Sequence, residues 1–145
     1  MIAGTYAGDV DVDEVWKRLG AGSGGLLVDV RTRAEWSFVG LPDLRPLGSS
    51  PALVEWQTFP SMAVNADFVD MVRGELDRRG LPAGTPLYFL CRSGARSQSA
   101  AVAATGAGLG PAYNVAGGFE GPLGPDGHRG TVQGWKAAGL PWVQS

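Results

Sequence analysis

Cys91 is the one cysteine of the chain, and it opens the run Cys91-Arg92-Ser93-Gly94-Ala95-Arg96-Ser97. The apolar stretch Leu87-Tyr88-Phe89-Leu90 precedes it, and an alanine-rich segment of helical character follows. A thiol set between a strand and the first turn of a helix faces backbone N–H groups that lack partners within the helix. Those groups and the helix dipole favour negative charge. Arg92 and Arg96 add two fixed positive charges. The thiolate is the nucleophilic form of cysteine, so the run predicts a reactive sulfur. A lone cysteine is more often an inert core residue. The glycine and the two arginines beside this one argue against that reading.

The surrounding pattern predicts how this loop is positioned. Asp11 with Glu14 three residues on reads as a helix start, and Val12, Val15, Trp16 and Leu19 share one helical face. The glycine-rich run from Gly20 to Gly25 ends that helix, and Leu26 to Val30 reads as a buried strand. A short helix is expected over Ala34 to Val39, then a loop with Pro42 and Pro46, then a strand over Ala52 to Gln57. Asn65 is placed to cap a helix reaching Arg79, with Phe68, Val69, Val72 and Leu76 as its apolar stripe and Gly80 as its stop. Leu87 to Leu90 reads as a strand, Ala95 to Ala107 as a helix, Ala112 to Val115 as a strand, and Gly130 to Ala138 as a closing helix. Strand and helix alternating in this way predict a mainly parallel sheet covered on both faces. In such sheets ligands bind beyond the carboxyl ends of the strands, which is where Cys91 falls.

At 145 residues, 44% hydrophobic and 18% charged, the chain has the size and balance of one globular domain, taken as 1–145. A net charge of -2 gives no reason to expect a nucleic-acid partner. A single cysteine excludes an internal disulfide and any multi-thiolate zinc or iron–sulfur site. A free reactive thiol suits a reducing compartment. Residues 1–10 lack the basic start and apolar centre of a secretory signal, and no stretch reads as a membrane span. The expectation is a cytoplasmic protein with no membrane partner.

Three separated signatures carry a resemblance. The first is Leu27-Val28-Asp29-Val30-Arg31 with Glu35-Trp36 after it, and the second is the Cys91 loop. The third is Asn114-Val115-Ala116-Gly117-Gly118-Phe119, with Trp135-Lys136-Ala137-Ala138-Gly139-Leu140-Pro141 near the end. In this order they resemble the rhodanese family of single-domain thiosulfate sulfurtransferases. The resemblance implies an α/β fold in three layers, α/β/α, with a central and mainly parallel sheet of about five strands. Against the family pattern, Gly40-Leu41-Pro42-Asp43 stands where a His-x-Pro-Gly turn is common. Residues 121–134, with the only histidine, His128, read as a loop insertion before the closing helix. Both departures bear on specificity and partners rather than on fold.

The resemblance implies that Cys91 takes sulfane sulfur from thiosulfate or a similar small anion and holds it as a persulfide, with no other cofactor. Arg92, Ser93, Gly94, Ala95, Arg96 and Ser97 would then bind substrate and cradle the persulfide charge. Asp29, Arg31 and Glu35 would support the loop. Because no second cysteine exists to resolve the persulfide, the acceptor has to be external: cyanide, a small thiol or a protein cysteine. Two roles stay open for Arg96, which could meet substrate or pair with Glu35 or Glu120. His128 could cover the pocket or stand in solvent, and Trp36 and Trp56 could line the pocket mouth or pack in the core. Four residues separate Cys91 from Arg96, one fewer than in cysteine-dependent phosphatases, and this shorter ring suits a single sulfur better than a phosphate or arsenate. A docking or regulatory module without catalysis is the alternative of a different class.

Overall fold

The structure, a computed structural model, describes residues 4–21, 25–58 and 61–144. In chain order its elements are β1 (Gly8–Asp11), α1 (Val12–Gly20), β2 (Leu26–Asp29), α2 (Arg33–Phe38), β3 (Leu41–Pro42), a 3-10 turn (Arg45–Leu47), β4 (Ala52–Leu53), β5 (Gln57–Thr58), β6 (Ala63–Val64), α3 (Phe68–Arg78), β7 (Leu87–Leu90), α4 (Ala95–Gly106), β8 (Ala112–Ala116) and β9 (Trp142–Val143). Five strands form one parallel sheet in the order β1-β8-β7-β2-β4.

Side chains alternate across a strand, and in β2 and β7 both faces are apolar. Leu26, Val28, Leu87 and Phe89 pack in one cluster with Phe68, Val72 and Leu76 of α3 and Ala100, Ala101 and Ala104 of α4. Leu27, Tyr88 and Leu90 join the other cluster, with Val12 and Val15 of α1, Phe119 and Trp135. The sheet is therefore the middle of three layers, as the sequence predicts. Each buried Leu or Phe contributes roughly 1.5–3 kcal/mol, against about 0–1 kcal/mol for an exposed ion pair, so the two apolar faces decide the layering. Cys91 belongs to the α3/α4 face.

Helix starts follow local chemistry. The Asp11 carboxylate accepts from the Glu14 N–H at 3.0 Å, as expected. Thr32 and Glu35 cap α2 reciprocally, a pairing the sequence also encodes as Thr-x-x-Glu. Asn65 lies before α3 rather than at its cap: its side-chain oxygen accepts from the Asp67 N–H at 3.0 Å, and Asp67 takes the cap position. Of the glycine-rich stop after α1, residues 22–24 lie outside the described residues.

Three further elements differ from the sequence reading. Strand β1 was not expected, and it pairs with β8 over Gly8–Asp11 at the sheet edge. The strand expected over 52–57 divides: Ala52–Leu53 pairs with β2, and Gln57–Thr58 turns away to pair with Ala63–Val64. The closing helix expected over 130–138 does not form, and turns take its place. Gly130 and Gly134 adopt φ of 85° and 101°. The Trp135 and Lys136 N–H groups bond to the Gly118 and Phe119 carbonyls, at 2.9 and 3.1 Å, instead of to a preceding helical turn. Tertiary hydrogen bonds override the helical pattern there.

At the carboxyl end of β2, Asp29 and Arg31 form a salt bridge with both side chains 0% exposed. Arg31 Nη2 donates to Asp29 Oδ2 and to the Gly40 carbonyl, both at 2.7 Å, and Nε donates to Oδ1 at 2.9 Å. The guanidinium carbon sits 4.2 Å from the centroid of the Phe119 ring. Asp29→Ala leaves this cation buried without its counter-charge and is expected to lower the unfolding free energy by roughly 3–5 kcal/mol. Urea denaturation at neutral pH measures it; a loss below about 1 kcal/mol would show that the guanidinium finds another partner.

Candidate functional site

Cys91 is the first residue after β7, and Gly94, at φ 126°, turns the chain into α4. That φ suits a residue without a Cβ. The turn aims the Gly94 N–H at Cys91 Sγ, 3.1 Å away, and brings Ser97 Oγ to 3.1 Å on the first turn of α4. Cys91 and Ser97 are buried, whereas Arg92, Ser93 and Ala95 are exposed on the outer side of the loop. The predicted loop thus divides into an inner half that holds the sulfur and an outer half open to solvent.

The loop's carbonyls are held from below. The Phe119 N–H donates to the Cys91 carbonyl at 2.8 Å, and the Glu120 and Gly121 N–H groups both donate to the Arg92 carbonyl at 3.0 Å. Gly118, at φ 65°, makes this approach possible: a Cβ there would lie 2.5 Å from the Arg92 oxygen and 2.6 Å from the Cys91 oxygen. The segment 121–134 is braced to the same turn, through the Gly130 N–H on the Glu120 carbonyl at 2.7 Å and Arg129 Nη1 on the Gly121 carbonyl at 2.6 Å. His128 is exposed on this segment, and its main-chain groups bond to Gly124 and Asp126. Trp36 is buried, and half-buried Trp56 packs edge-on against Phe68 at the margin of the core, with ring centroids 5.0 Å apart.

Of the partners open to Arg96, the structure selects Glu35. The two guanidinium nitrogens meet the two carboxylate oxygens at 2.6 and 2.9 Å. Glu35 Oε1 also accepts from the Thr32 N–H and hydroxyl, each at 3.1 Å. Burial by itself would raise the Glu35 pKa; the Arg96 hydrogen bonds and charge and the Thr32 donors outweigh it and bring it down to about 2. The same pair raises the pKa of Arg96, chiefly through the Glu35 hydrogen bond. Arg96 therefore stands as a fixed cation within Coulombic reach of Cys91. Asp29 and Arg31 answer each other rather than facing the loop's outer side.

Sequence reasoning missed Thr32, Asn114 and Asp9. Ser97 Oγ lies 2.5 Å from Asn114 Oδ1, and Asn114 Nδ2 donates to Asp9 Oδ1 at 3.0 Å. The Thr-x-x-Glu spacing was a readable signal for the first. A polar residue at the centre of the apolar strand β8 was the signal for the second. Asp9 lies on an unexpected strand and gave none.

Among the described residues no histidine or carboxylate hydrogen-bonds Sγ, so the arrangement suits reactions whose leaving group needs no proton. Among the described residues no three His, Cys, Asp or Glu side chains gather as a metal site requires. Nor is any helix there long and apolar enough to cross a membrane. A cavity of about 320 Å³ lies against Asp11, Val12, Ala116 and Gly134; chemistry rather than volume makes the Cys91 loop the candidate site.

A profile of the rhodanese-like domain family matches residues 11–122. The uncharacterized RP600 homolog of Rickettsia rickettsii is 37% identical over 116 residues, 80% of each chain. The crystal structure of Rv0390 from M. tuberculosis is 49% identical, with a TM-score of 0.85 over 97% of this chain and 100% of that one. A polysulfide-sulfur transferase homodimer from Wolinella succinogenes is 20% identical, with a TM-score of 0.57 over 94% of this chain and 78% of that one, a likeness of fold.

The Glu35 pKa has a consequence for stability. The folded value of about 2 lies below the ordinary 4.5, so the contribution is complete above about pH 5 and is lost as pH falls toward 2. In Glu35→Gln that acid-linked loss is expected to shrink. Thermal unfolding followed from pH 7 to pH 3 measures it, and parallel curves for the two proteins would contradict the assignment.

Proposed function

The chain belongs to the rhodanese-like domain family, and on that premise we propose that it is a sulfurtransferase whose Cys91 carries sulfur as a persulfide. The observation that carries this reading is the environment of Sγ: a buried sulfur in a short loop, hydrogen-bonded by the Gly94 N–H, beside the fixed cation of Arg96.

The Cys91 thiolate attacks the outer sulfur of thiosulfate. A bond forms between Sγ and that sulfur as the S–S bond of the donor breaks, and its electron pair leaves with sulfite. Sulfite is a stable anion and needs no general acid, which accords with the absence of a hydrogen-bonded histidine or carboxylate at Sγ among the described residues. The negative charge now sits on the terminal sulfur, where loop amides and the first turn of α4 favour it. An external nucleophile (cyanide, a small thiol or a protein cysteine) then takes the terminal sulfur and returns Cys91 as thiolate.

Exposed Arg92 is the residue of the loop free to meet an incoming dianion, while Arg96 acts through Glu35 to hold the loop. Burial of Cys91 supports a compact donor over a bulky phosphoester. The polysulfide-sulfur transferase sharing this fold lends polysulfide as a second donor to test.

Intact mass of the reduced protein before and after thiosulfate is the direct test. The expected result is a gain of one sulfur atom, removed by cyanide and absent in Cys91→Ser. No gain with thiosulfate or polysulfide would leave the chain a docking module instead. Arg92→Ala is expected to raise KM for thiosulfate roughly two- to fivefold with little change in kcat, the worth of one exposed charge contact. Steady-state kinetics with cyanide as acceptor measures it, and an unchanged KM would remove Arg92 from the donor site.

A further inference from the structure

The hydrogen bonds behind Cys91 have a defined direction. Asp9 Oδ1 accepts from Asn114 Nδ2 at 3.0 Å and from the Tyr6 hydroxyl at 2.9 Å, and Gln98 Nε2 donates to the Tyr6 oxygen at 2.9 Å. An ionised carboxylate is acceptor-only, so the NH2 side of the Asn114 amide faces Asp9 and its carbonyl side faces Ser97. Asn114 Oδ1 and Ser97 Oγ are 2.5 Å apart. Two oxygens this close share a proton, and the amide oxygen has none to give. The hydroxyl proton of Ser97 therefore lies on the Asn114 side.

A serine hydroxyl has one proton. With it committed to Asn114, Ser97 presents lone pairs to Cys91 Sγ at 3.1 Å. That contact is favourable when the sulfur carries a proton and unfavourable when it carries a negative charge. The Gly94 carbonyl, a second acceptor 3.1 Å from the same hydroxyl, competes only at longer range. We propose that Asp9 and Asn114 are positioning residues that lock the Ser97 hydroxyl as an acceptor toward Cys91, so that this hydroxyl gives no hydrogen bond to an anion at Sγ.

This deepens the sulfurtransferase reading and rests on it for one consequence. In the persulfide, Sγ is an uncharged divalent sulfur and the charge lies one atom further out. The lock disfavours charge at Sγ but not at the terminal sulfur, so it biases the site toward the loaded state. It opposes the Gly94 N–H and Arg96, which favour an anion at Sγ. Arg92 and Glu120 lie on the loop and the turn beneath it, Glu35 of α2 is paired with Arg96, and Asp29 and Arg31 at the end of β2 are paired with each other. The faces of α3 and α4 in that cluster are apolar. The Tyr6 phenol has its pKa raised, chiefly by the Asp9 hydrogen bond, which keeps it a donor to the carboxylate.

Iodoacetamide alkylation of the full chain, followed by intact mass across pH, tests the lock without any sulfur donor. It therefore reads separately from persulfide formation. Asn114→Ala frees the Ser97 proton for Sγ. The pH of half-limiting alkylation is expected to fall by about one unit, with roughly tenfold faster alkylation below it, the worth of a hydrogen bond to a charged group. Asp9→Ala, at the exposed end, lets the amide turn over and is expected to shift the profile in the same direction. In a Ser97→Ala background Asn114→Ala is expected to shift nothing. A folded Asn114→Ala protein with an unshifted profile, or an equal shift with and without Ser97, overturns the proposal. Should Asn114→Ala not fold, Asp9→Ala with and without Ser97→Ala decides: a shift that shrinks without Ser97 supports the lock, and an equal shift in both backgrounds overturns it.

Discussion

Arg31 carries a full charge with no exposure to water, and the carboxyl edge of the sheet is organised around pairing it. A charge so placed is strongly unfavourable unless it is paired and hydrogen-bonded. Asp29 supplies the counter-charge, the Gly40 carbonyl accepts, and the Phe119 ring lies over the guanidinium. The ends of β2 and α2 and the turn after β8 are thereby obliged to meet. Phe119 then brings its own N–H to the Cys91 carbonyl. The position of the thiol is inherited from an ion pair that does not touch it.

Around that anchor the Cys91 loop is gripped from two further sides. The turn after Gly117 takes its carbonyls, and Glu35 takes its arginine. The Glu35–Arg96 pair differs in kind from the exposed pairs of this protein. Its side chains are 20% and 18% exposed, against 41% and 79% for Glu14 and Lys17. Solvent screens the latter to little effect, while the former couples α2 to α4 across the front of the sheet. A loop fixed at both its carbonyl and its cationic side presents the sulfur in one geometry.

Much of this was legible in the residues, and the limits follow from physics. The strands at 26–29 and 87–90 announce themselves because buried parallel strands read as apolar runs, broken here only by Asp29 at the end of the first. Asp11 and the stripe after it mark α1 for an equally local reason. Cys91, Gly94 and the two arginines identify the loop by chemistry alone, and Glu35 was already one of two candidate partners for Arg96. The turns over 130–138 defeated local reading because their N–H groups bond to Gly118 and Phe119, contacts no helical periodicity encodes. Strand β1 is four residues of mixed polarity whose strandness comes from pairing with β8. Asn114 looks like a strand residue until its partners from β1 and α4 arrive.

The strand pairing at that edge has a kinetic and mechanical side. Asp9 and Asn114 are separated by 105 positions in sequence, so their meeting closes one of the longest loops in the chain. Closure entropy grows with loop length, and non-local parallel pairings of this kind form slowly. Strand β1 is also a sheet edge, paired on one side only, where native structures open most readily. Fraying of four residues at the margin would release the Asn114 amide and, through Ser97, alter the sulfur without disturbing its own loop. On the proposed role of Ser97, the pairing of this edge strand reaches the nucleophile without passing through the nucleophile's own loop.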